Sequence, residues 1–508
     1  MIRTAHTAKI SLLGAVSSAA ILAMTGAQAQ VGSPDMDTIV GAATATDGAG
    51  TSINDPNWLI EQTSDRVVIE WDSLSIADGE FVRFDQASSS NIAVNRVIGP
   101  GGGAAFDATL INGTLQANGQ VWIINPNGVT FGSTARVDVN GLLATTADFA
   151  DINGDAVDYA VDNNAFVFGT VEPITLVFDV EGVDGASVDT LELADIEVDE
   201  GDPLPGIRAG SDGVRLVAES VSHAGEITLT EVGIVELATS AGDGLQVFSL
   251  AVDVSNGLGL VQIPITTDQT TIELAGSIMA SGGAVRITAA GMEAAIADIA
   301  SPGTVIEADT ITLQSDGTIS LTSEMTELDG TVIARAATRV EDGDDIVDVV
   351  TADNTLDIDI VGDLTVEEAL GFEIDLTGAN VSLGAITARK VGDAGGDLTV
   401  TAENDDEDPS VIDDALAGEL LVEGETVLVA DGGITLDDAG HDFGEDVTVT
   451  DGSGAISLRD ANDLTIVSLT MEADQDLTLR AGSSLDGNGV EGELTLPSLS
   501  ADDVTLIA

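Results

Sequence analysis

Short apolar-polar-apolar runs separated by Gly, Asn or Asp recur along most of the chain. In the N-terminal part they read RVVIEW from Arg66 to Trp71, GEFVRF from Gly79 to Phe84 and NIAVNRVIG from Asn91 to Gly99. A dense series follows, GTLQANG, QVWIIN, GVTFG and ARVDVNG, with apolar pairs at Val121 and Ile123, Val129 and Phe131, and Val137 and Val139. Period two inside each run, with turn-forming residues between runs, predicts short β-strands joined by tight turns.

The C-terminal part repeats one unit: DLTV at Asp363 and again at Asp397, GITL at Gly433, AISL at Ala455, DLTL at Asp476, ELTL at Glu493 and DVTL at Asp503. Counted from Ile434, the apolar starts at Ile456, Leu477, Leu494 and Val504 are spaced by 22, 21, 17 and 10 residues. A period near 20 with three-residue strands predicts a stacked solenoid. Leucine-rich repeats share that period but require helical segments and a regular Leu/Asn register, which are missing; strands and turns alone suffice for a parallel β-helix. Three acidic stretches break the rhythm and are expected to bulge as loops, at Leu191–Arg208, Glu341–Asp359 and Ala402–Ala415. The Ala-rich piece from Met292 to Ile299 lacks Gly and Pro and predicts a short helix.

Composition agrees with an all-β solenoid. Hydrophobic residues make up 44% of 508, too many for a disordered polymer, yet aromatics are only 3% and glycines number 57, which suits many thin layers over one thick core. The charge balance removes whole classes of partner. With 88 Asp+Glu against 15 Lys+Arg and a net charge of −73, no basic surface exists to release counterions from nucleic acid, and an anionic lipid surface repels the chain. The carboxylates are read as a solvated face that keeps a long protein from self-associating.

The N-terminus combines Arg3 and Lys9, a short apolar region from Ile10 to Met24, and an A-x-A site at Ala27 and Ala29. This is the pattern of a signal peptide cleaved before Gln30, and the apolar stretch is short for a membrane span. It implies the Sec machinery as a first partner. With no cysteine to cross-link it, an exported chain of this size relies on repeated hydrogen bonding and stacking, and remains able to thread unfolded through a pore.

A search for chemistry finds little. Asp437, Asp438 and His441 in LDDAGHDFG form the best candidate for paired carboxylates with a histidine, but adjacent Asp pairs recur by chance in so acidic a chain, and only His223 and His441 follow the signal region. Asp151-x-Asn153-x-Asp155 begins like a calcium loop, but Ala156 stands where the sharp turn wants Gly. No catalytic residue, dedicated metal site or cofactor is therefore expected, beyond incidental Ca²⁺ on acidic turns. The tyrosine-poor C-terminus, with Tyr159 the single tyrosine of the chain, lacks the aromatic girdles of a transmembrane barrel.

The blocks GEFVRFDQ, NIAVNRVIG, GTLQANGQVWIINPNGVTFG and ARVDVNGLLATT, in that order between Glu70 and Thr146, resemble the haemagglutination-activity (two-partner secretion) domain of filamentous haemagglutinin-type exoproteins. Looser similarity to the stalks of large bacterial surface adhesins continues in GGAVRITAAG, GTVIEADTITL and LVADGGITLDDAGHDFGEDVTVT. The resemblance implies a right-handed parallel β-helix with extra-helical loops and short hairpins, recognised by a cognate outer-membrane β-barrel transporter and released or displayed at the cell surface. The exposed chain would meet a host or cell-surface receptor or a glycan. The family's Asn-Pro-Asn-Gly-Ile motif falls on Asn125, Pro126, Asn127 and Gly128, with Val129 in place of Ile, and Asn95 and Arg96 match its Asn-Arg-Val block. A second, Asn-Pro-Asn-Leu motif found in some members has no counterpart before Gly113. The implied organisation is a signal peptide over 1–29, a secretion domain over 30–165 and a continuing β-helix over 166–508. An adhesin without an active site is the function so implied, against a polysaccharide-degrading enzyme or toxin carrier that borrows the same secretion domain.

Overall fold

A computed structural model describes residues 36–507 apart from 51, 53, 55, 101–106, 153–154, 157–173, 180–186, 191–204, 240–245, 254–256, 263–269, 291–293, 299–303, 322–325, 343–344, 404–408, 417, 452, 472–474, 483–493 and 497–502. The expected signal segment, with Ala27 and Ala29, lies outside these residues.

Parallel strands dominate. Among the described residues, a 24-stranded sheet and a 14-stranded sheet run along the molecule, and successive turns of the chain pair in parallel register. One turn illustrates the path. Val129–Phe131 lies in the 14-stranded sheet, and Arg136–Thr145 then crosses two faces of the larger sheet, with a register shift between Val139 and Gly141. The chain re-enters the smaller sheet at Ser187–Thr190, directly beside Val129–Phe131. The result is a parallel β-helix whose core is a stack of aliphatic columns.

One such column runs Leu115, Val137, Ile207, Ile227, Ile278, Ile306, Leu328, each opposite the next. Another, in the smaller sheet, runs Val129, Val188, Val221, Ile272, Ile296, Ile319, Leu356, Ile374, Leu398. All are buried in one continuous cluster. β-branched and Leu side chains at every second position stack well on a pleated surface, and each rung buries what its neighbours cannot cover alone.

The C-terminal repeat resolves into two interleaved series. Ile434, Ile456, Leu477 and Val504 are register partners in the larger sheet, whereas Leu494 pairs with Leu464 in the smaller one. The apparent shortening of the period to 17 and 10 came from merging two faces into one count.

Three sequence expectations need correction. Within Met292–Ile299 the structure has a strand, Ala295–Asp298, whose Ile296 is fully buried between Ile272 and Ile319. The ladder on both sides outweighs the helix propensity of alanine. Glu341–Asp359 is only in part an outward loop, because it contains a rung, Thr355–Asp359, with Leu356 and Ile358 in the core. Ala402–Ala415 likewise holds the rung Val411–Asp413, with Ile412 buried. Acidic residues at outward positions hid the inward aliphatic ones. The stretch expected as a loop at Leu191–Arg208 lies outside the described residues up to 204, and Gly206–Arg208 opens the strand Gly206–Ala218.

A five-stranded antiparallel sheet stands outside the solenoid. It is built from two insertions: Asp148–Ile152, Asp155–Ala156 and Ile174–Asp179 from one, Gln246–Asp253 and Gly257–Gln262 from the other. Strand Ile174–Asp179 pairs with Gln246–Asp253, Phe178 opposite Phe248. Asp151 and Asp155, expected at the start of a calcium loop, lie on two adjacent antiparallel strands of this sheet.

Candidate functional site

The Asn-Pro-Asn-Gly stretch leaves the end of strand Gln120–Ile124 and turns the chain into Val129–Phe131. Val121, Ile123, Val129 and Phe131 all point into the core. Between them the chain reverses on a hydrogen-bonded turn, the Gly128 amide donating to the Asn125 carbonyl at 3.0 Å. Gly128 has φ of +115°, a conformation that costs a residue with a Cβ, and an added Cβ would stand 3.3 Å from the Ser187 carbonyl oxygen. Pro126 fixes φ at the position after Asn125.

Asn125 is buried with no exposed surface, and every polar atom of its side chain is used. Its Oδ1 accepts from the Asn127 amide at 2.9 Å, and its Nδ2 donates to the Asp107 carbonyl at 3.1 Å and to Thr109 Oγ1 at 3.0 Å. The backbone is tied as tightly: Asn125 N donates to the Thr145 carbonyl of the next rung, and Thr109 N donates to the Gly128 carbonyl. Asn125 therefore builds the turn from within, binding it to the preceding segment and the following rung. Asn127 is half-buried and reaches the surface.

Asn95 and Arg96 stand beside this turn, for Arg96 is opposite Ile124, the residue before Asn125. They face opposite ways. Asn95 points inward, accepting from Trp71 Nε1 at 3.1 Å and donating to the carbonyls of Ala93 and Trp122 at 3.1 and 3.2 Å. Arg96 points outward, where its Nε donates to the Asp148 carboxylate at 2.6 and 2.8 Å, its Nη2 contacts the same carboxylate, and its Nη1 reaches Glu70 at 3.3 Å. This fork is the charge-assisted type that fixes orientation. Asp148 opens the external sheet, so Arg96 anchors that sheet to the rung carrying the turn. The sequence motifs do bring Asn95, Arg96 and Asn125–Val129 together at one corner. They do not single out Trp71, Asp107, Thr109 or Asp148, whose partners are set by rung stacking at separations as long as 52 residues.

The far side of the external sheet is held by buried charge. Glu236 takes Val261 N on both carboxylate oxygens at 3.1 Å, Arg286 at 3.2 Å and Arg215 at 3.4 Å. Arg215 and Glu236 are almost wholly buried. Burial pushes the Glu236 carboxyl up and the Arg215 guanidinium down, each opposed by the other's charge.

The enzyme candidates are knitted into a corner. His441 is fully buried, its Nδ1 accepts from Leu420 N at 3.1 Å, and its Nε2 therefore donates to Asp414 at 3.0 Å. The same Asp414 oxygen accepts the amides of Asp437 and Asp438 at 2.9 and 3.0 Å. His441 has no route to a substrate, and Asp414 acts as a staple. Among the described residues no group of three or more His, Asp or Glu is placed to hold a metal ion.

Comparison with known proteins decides what this corner belongs to. The family model described as the TPS secretion domain matches residues 38–334, more than half of the chain. The chain belongs to the TPS secretion domain family. That makes it a two-partner secretion exoprotein, and the family match runs far past the blocks at 70–146 that carry the sequence resemblance. Two heme/hemopexin-binding proteins of Haemophilus influenzae are among its relatives, 41% identical over 100 residues and 34% over 113. These matches cover 20% and 22% of this chain but 10% and 12% of the relatives, so the chain spans about a tenth of their length. The crystal structure of the HMW1 secretion domain from Haemophilus influenzae aligns over 93% of this chain and 99% of its own, at 18% identity and a TM-score of 0.37. Beyond the TPS domain, residues 337–450 match a model described as repeats of unknown function.

Proposed function

We propose that this TPS exoprotein is an adhesin-like display protein whose N-terminal domain is recognised by an outer-membrane β-barrel transporter, after entry to the periplasm through the Sec route. The corner built by Asn95, Arg96 and Asn125–Val129 is the recognition element. The observation that carries this is the division of labour inside the motif. Asn125 is fully buried and builds the turn, while Asn127 is half-buried on that turn, with part of it open to solvent. The protein's work outside the cell is binding rather than catalysis, through the solenoid faces beyond residue 334, with a receptor or glycan as partner. The knitting of His441 and Asp414 into the fold supports that side of the reading.

Export into the medium, measured in a strain carrying the cognate transporter, tests recognition. Asn125→Ala strands the Asp107 carbonyl and Thr109 hydroxyl, with an expected cost of about 1–3 kcal/mol to the domain as well as loss of export. Asn127→Ala is expected to lower export while the purified domain remains folded. Normal export of both variants would overturn the assignment. For the display reading, depolymerisation of acidic or neutral polysaccharides by the purified chain would do the same.

A further inference from the structure

Four residues past the end of the TPS match, the chain leaves the solenoid in a two-stranded antiparallel hairpin, Thr338–Asp342 paired with Asp345–Val349. Val340 lies opposite Val347, and Val349 opposite Thr338, so the three valines share one face. All three are open to solvent, at 41, 38 and 42% exposure. Most other aliphatic residues of the neighbouring rungs are buried, which makes this contiguous trio a feature to be explained.

The hairpin is presented on a rigid base. Asn354, fully buried, donates to the Asp316 carbonyl at 2.8 Å and accepts from Thr351 N at 2.7 Å, Thr351 Oγ1 at 2.8 Å and Thr338 Oγ1 at 3.3 Å. Thr338 Oγ1 also reaches the Asp316 carbonyl at 3.0 Å. Both ends of the hairpin are thus clamped to the same carbonyl of the solenoid. On the face opposite the valines, Asp348 reaches Arg335 of the adjoining rung at 3.4 Å, which turns the valine face outward. An isolated hairpin is marginal in water; this one is held by its roots.

Its composition names the occupant. Four of the ten strand residues are acidic, Glu341, Asp342, Asp345 and Asp348, against one basic residue, Arg339. Among the described residues, each strand has only the other as a neighbour, so backbone donors and acceptors remain along an edge. A second copy of this chain, at −73, would bring the same carboxylates against themselves. We propose that this hairpin is a docking element for an extended protein segment in which basic and apolar residues alternate, added as a third strand with its apolar side on Val340, Val347 and Val349. Backbone pairing supplies general affinity, and alternate side chains supply selection.

The test uses the full mature chain and two fluorescein-labelled peptides of equal charge, one alternating Lys and Val, the other Lys and Ser. The Lys-Val peptide is expected to bind at least tenfold more tightly, and Val340→Ser with Val347→Ser is expected to erase the difference. Because both valines are exposed, the melting temperature of the double variant should match wild type; if it falls, Val340→Thr with Val347→Thr retains β-branching and repeats the test. Equal binding of the two peptides by the wild-type chain, or an undiminished preference in a folded variant, overturns the proposal. So does sedimentation showing a dimer that dissolves in the same variant, which would assign the face to self-association.

Discussion

The rungs between Trp58 and Thr145 and those between Thr355 and Ala481 share one backbone architecture but differ in what their outward faces do. In the C-terminal rungs burial alternates along most strands, as in Asp397–Ala402 and Ile456–Asp460, with Thr, Ser and Asp among the outward residues. Strand Gln120–Ile124 is buried at every position, and Arg66–Trp71 and Ile92–Val97 nearly so. The outward column Val68, Val94, Trp122, Leu143, Arg215, Glu236 lies inside the protein, and the external sheet is tied along it through Arg96–Asp148 at one end and Glu236–Val261 at the other. The lesson is that a β-helix becomes a specific object when its second face is closed. The stalk is a periodic solid, interchangeable from rung to rung; the secretion domain is a three-layered one with particular polar joints.

Those joints are the places to break the difference. The largest effect is expected from Trp122→Ala, at about 3–5 kcal/mol by chemical denaturation, although an outward position in an ordinary solenoid tolerates truncation. Glu236→Gln leaves Arg215 as a buried charge with a weakened partner and should cost about 3–5 kcal/mol, with the loss concentrated in hydrogen-exchange protection of the external sheet. A small effect in both would mean the external sheet does not close the face.

Acid separates the TPS-matched region, which includes His223, from the C-terminal rungs by sign. His223, buried between Thr190 Oγ1 at 2.7 Å and the Ser277 carbonyl at 3.2 Å, is driven by burial down to about 4. The unfolded chain therefore binds more protons between about pH 6.5 and 4, and stability falls as pH drops through that window, by up to about 3 kcal/mol. Asp460 in the stalk is pushed by burial up to about 6, while the amides of Asn462 and Phe443 oppose the shift. There the folded state holds the extra proton, so its contribution is present at pH 4 and is lost as pH rises through 6, by about 1–2 kcal/mol. Denaturation across pH 4–7 should show the acid limb flattened by His223→Gln and the opposite slope flattened by Asp460→Asn. The smallest effect is expected from Thr478→Ala on the stalk's outer face, within about 0.5 kcal/mol.

The contrast also explains what could be read from the amino-acid order. The stalk was legible because one face is wet: Leu-Thr-Val units announce period two, and inward aliphatics stand out against Thr and Asp. Where Ala295–Asp298 carries Ala at its outward positions, the same logic predicts a helix, since alanine marks no face. In the secretion domain the strands were legible, but the joints of the second face were not, because Arg96 meets Asp148 and Glu236 meets Val261 only once insertions far apart in the chain pair in one sheet. The candidate corner was found through its Asn-Pro-Asn-Gly turn and Asn95-Arg96 pair. Their partners escaped because Asp107, Thr109 and Trp71 are ordinary residues until stacking places them against an asparagine.

The external sheet carries one further implication, for timing. Phe178 is the register partner of Phe248 across it, so the sheet is completed only after about seventy more residues have followed. A chain emerging from its N-terminus can stack rungs as they arrive, since each pairs with one just laid down, but the sheet must wait for a distant strand and bears the larger loop-closure cost. The external sheet is then incomplete for a span set by chain length.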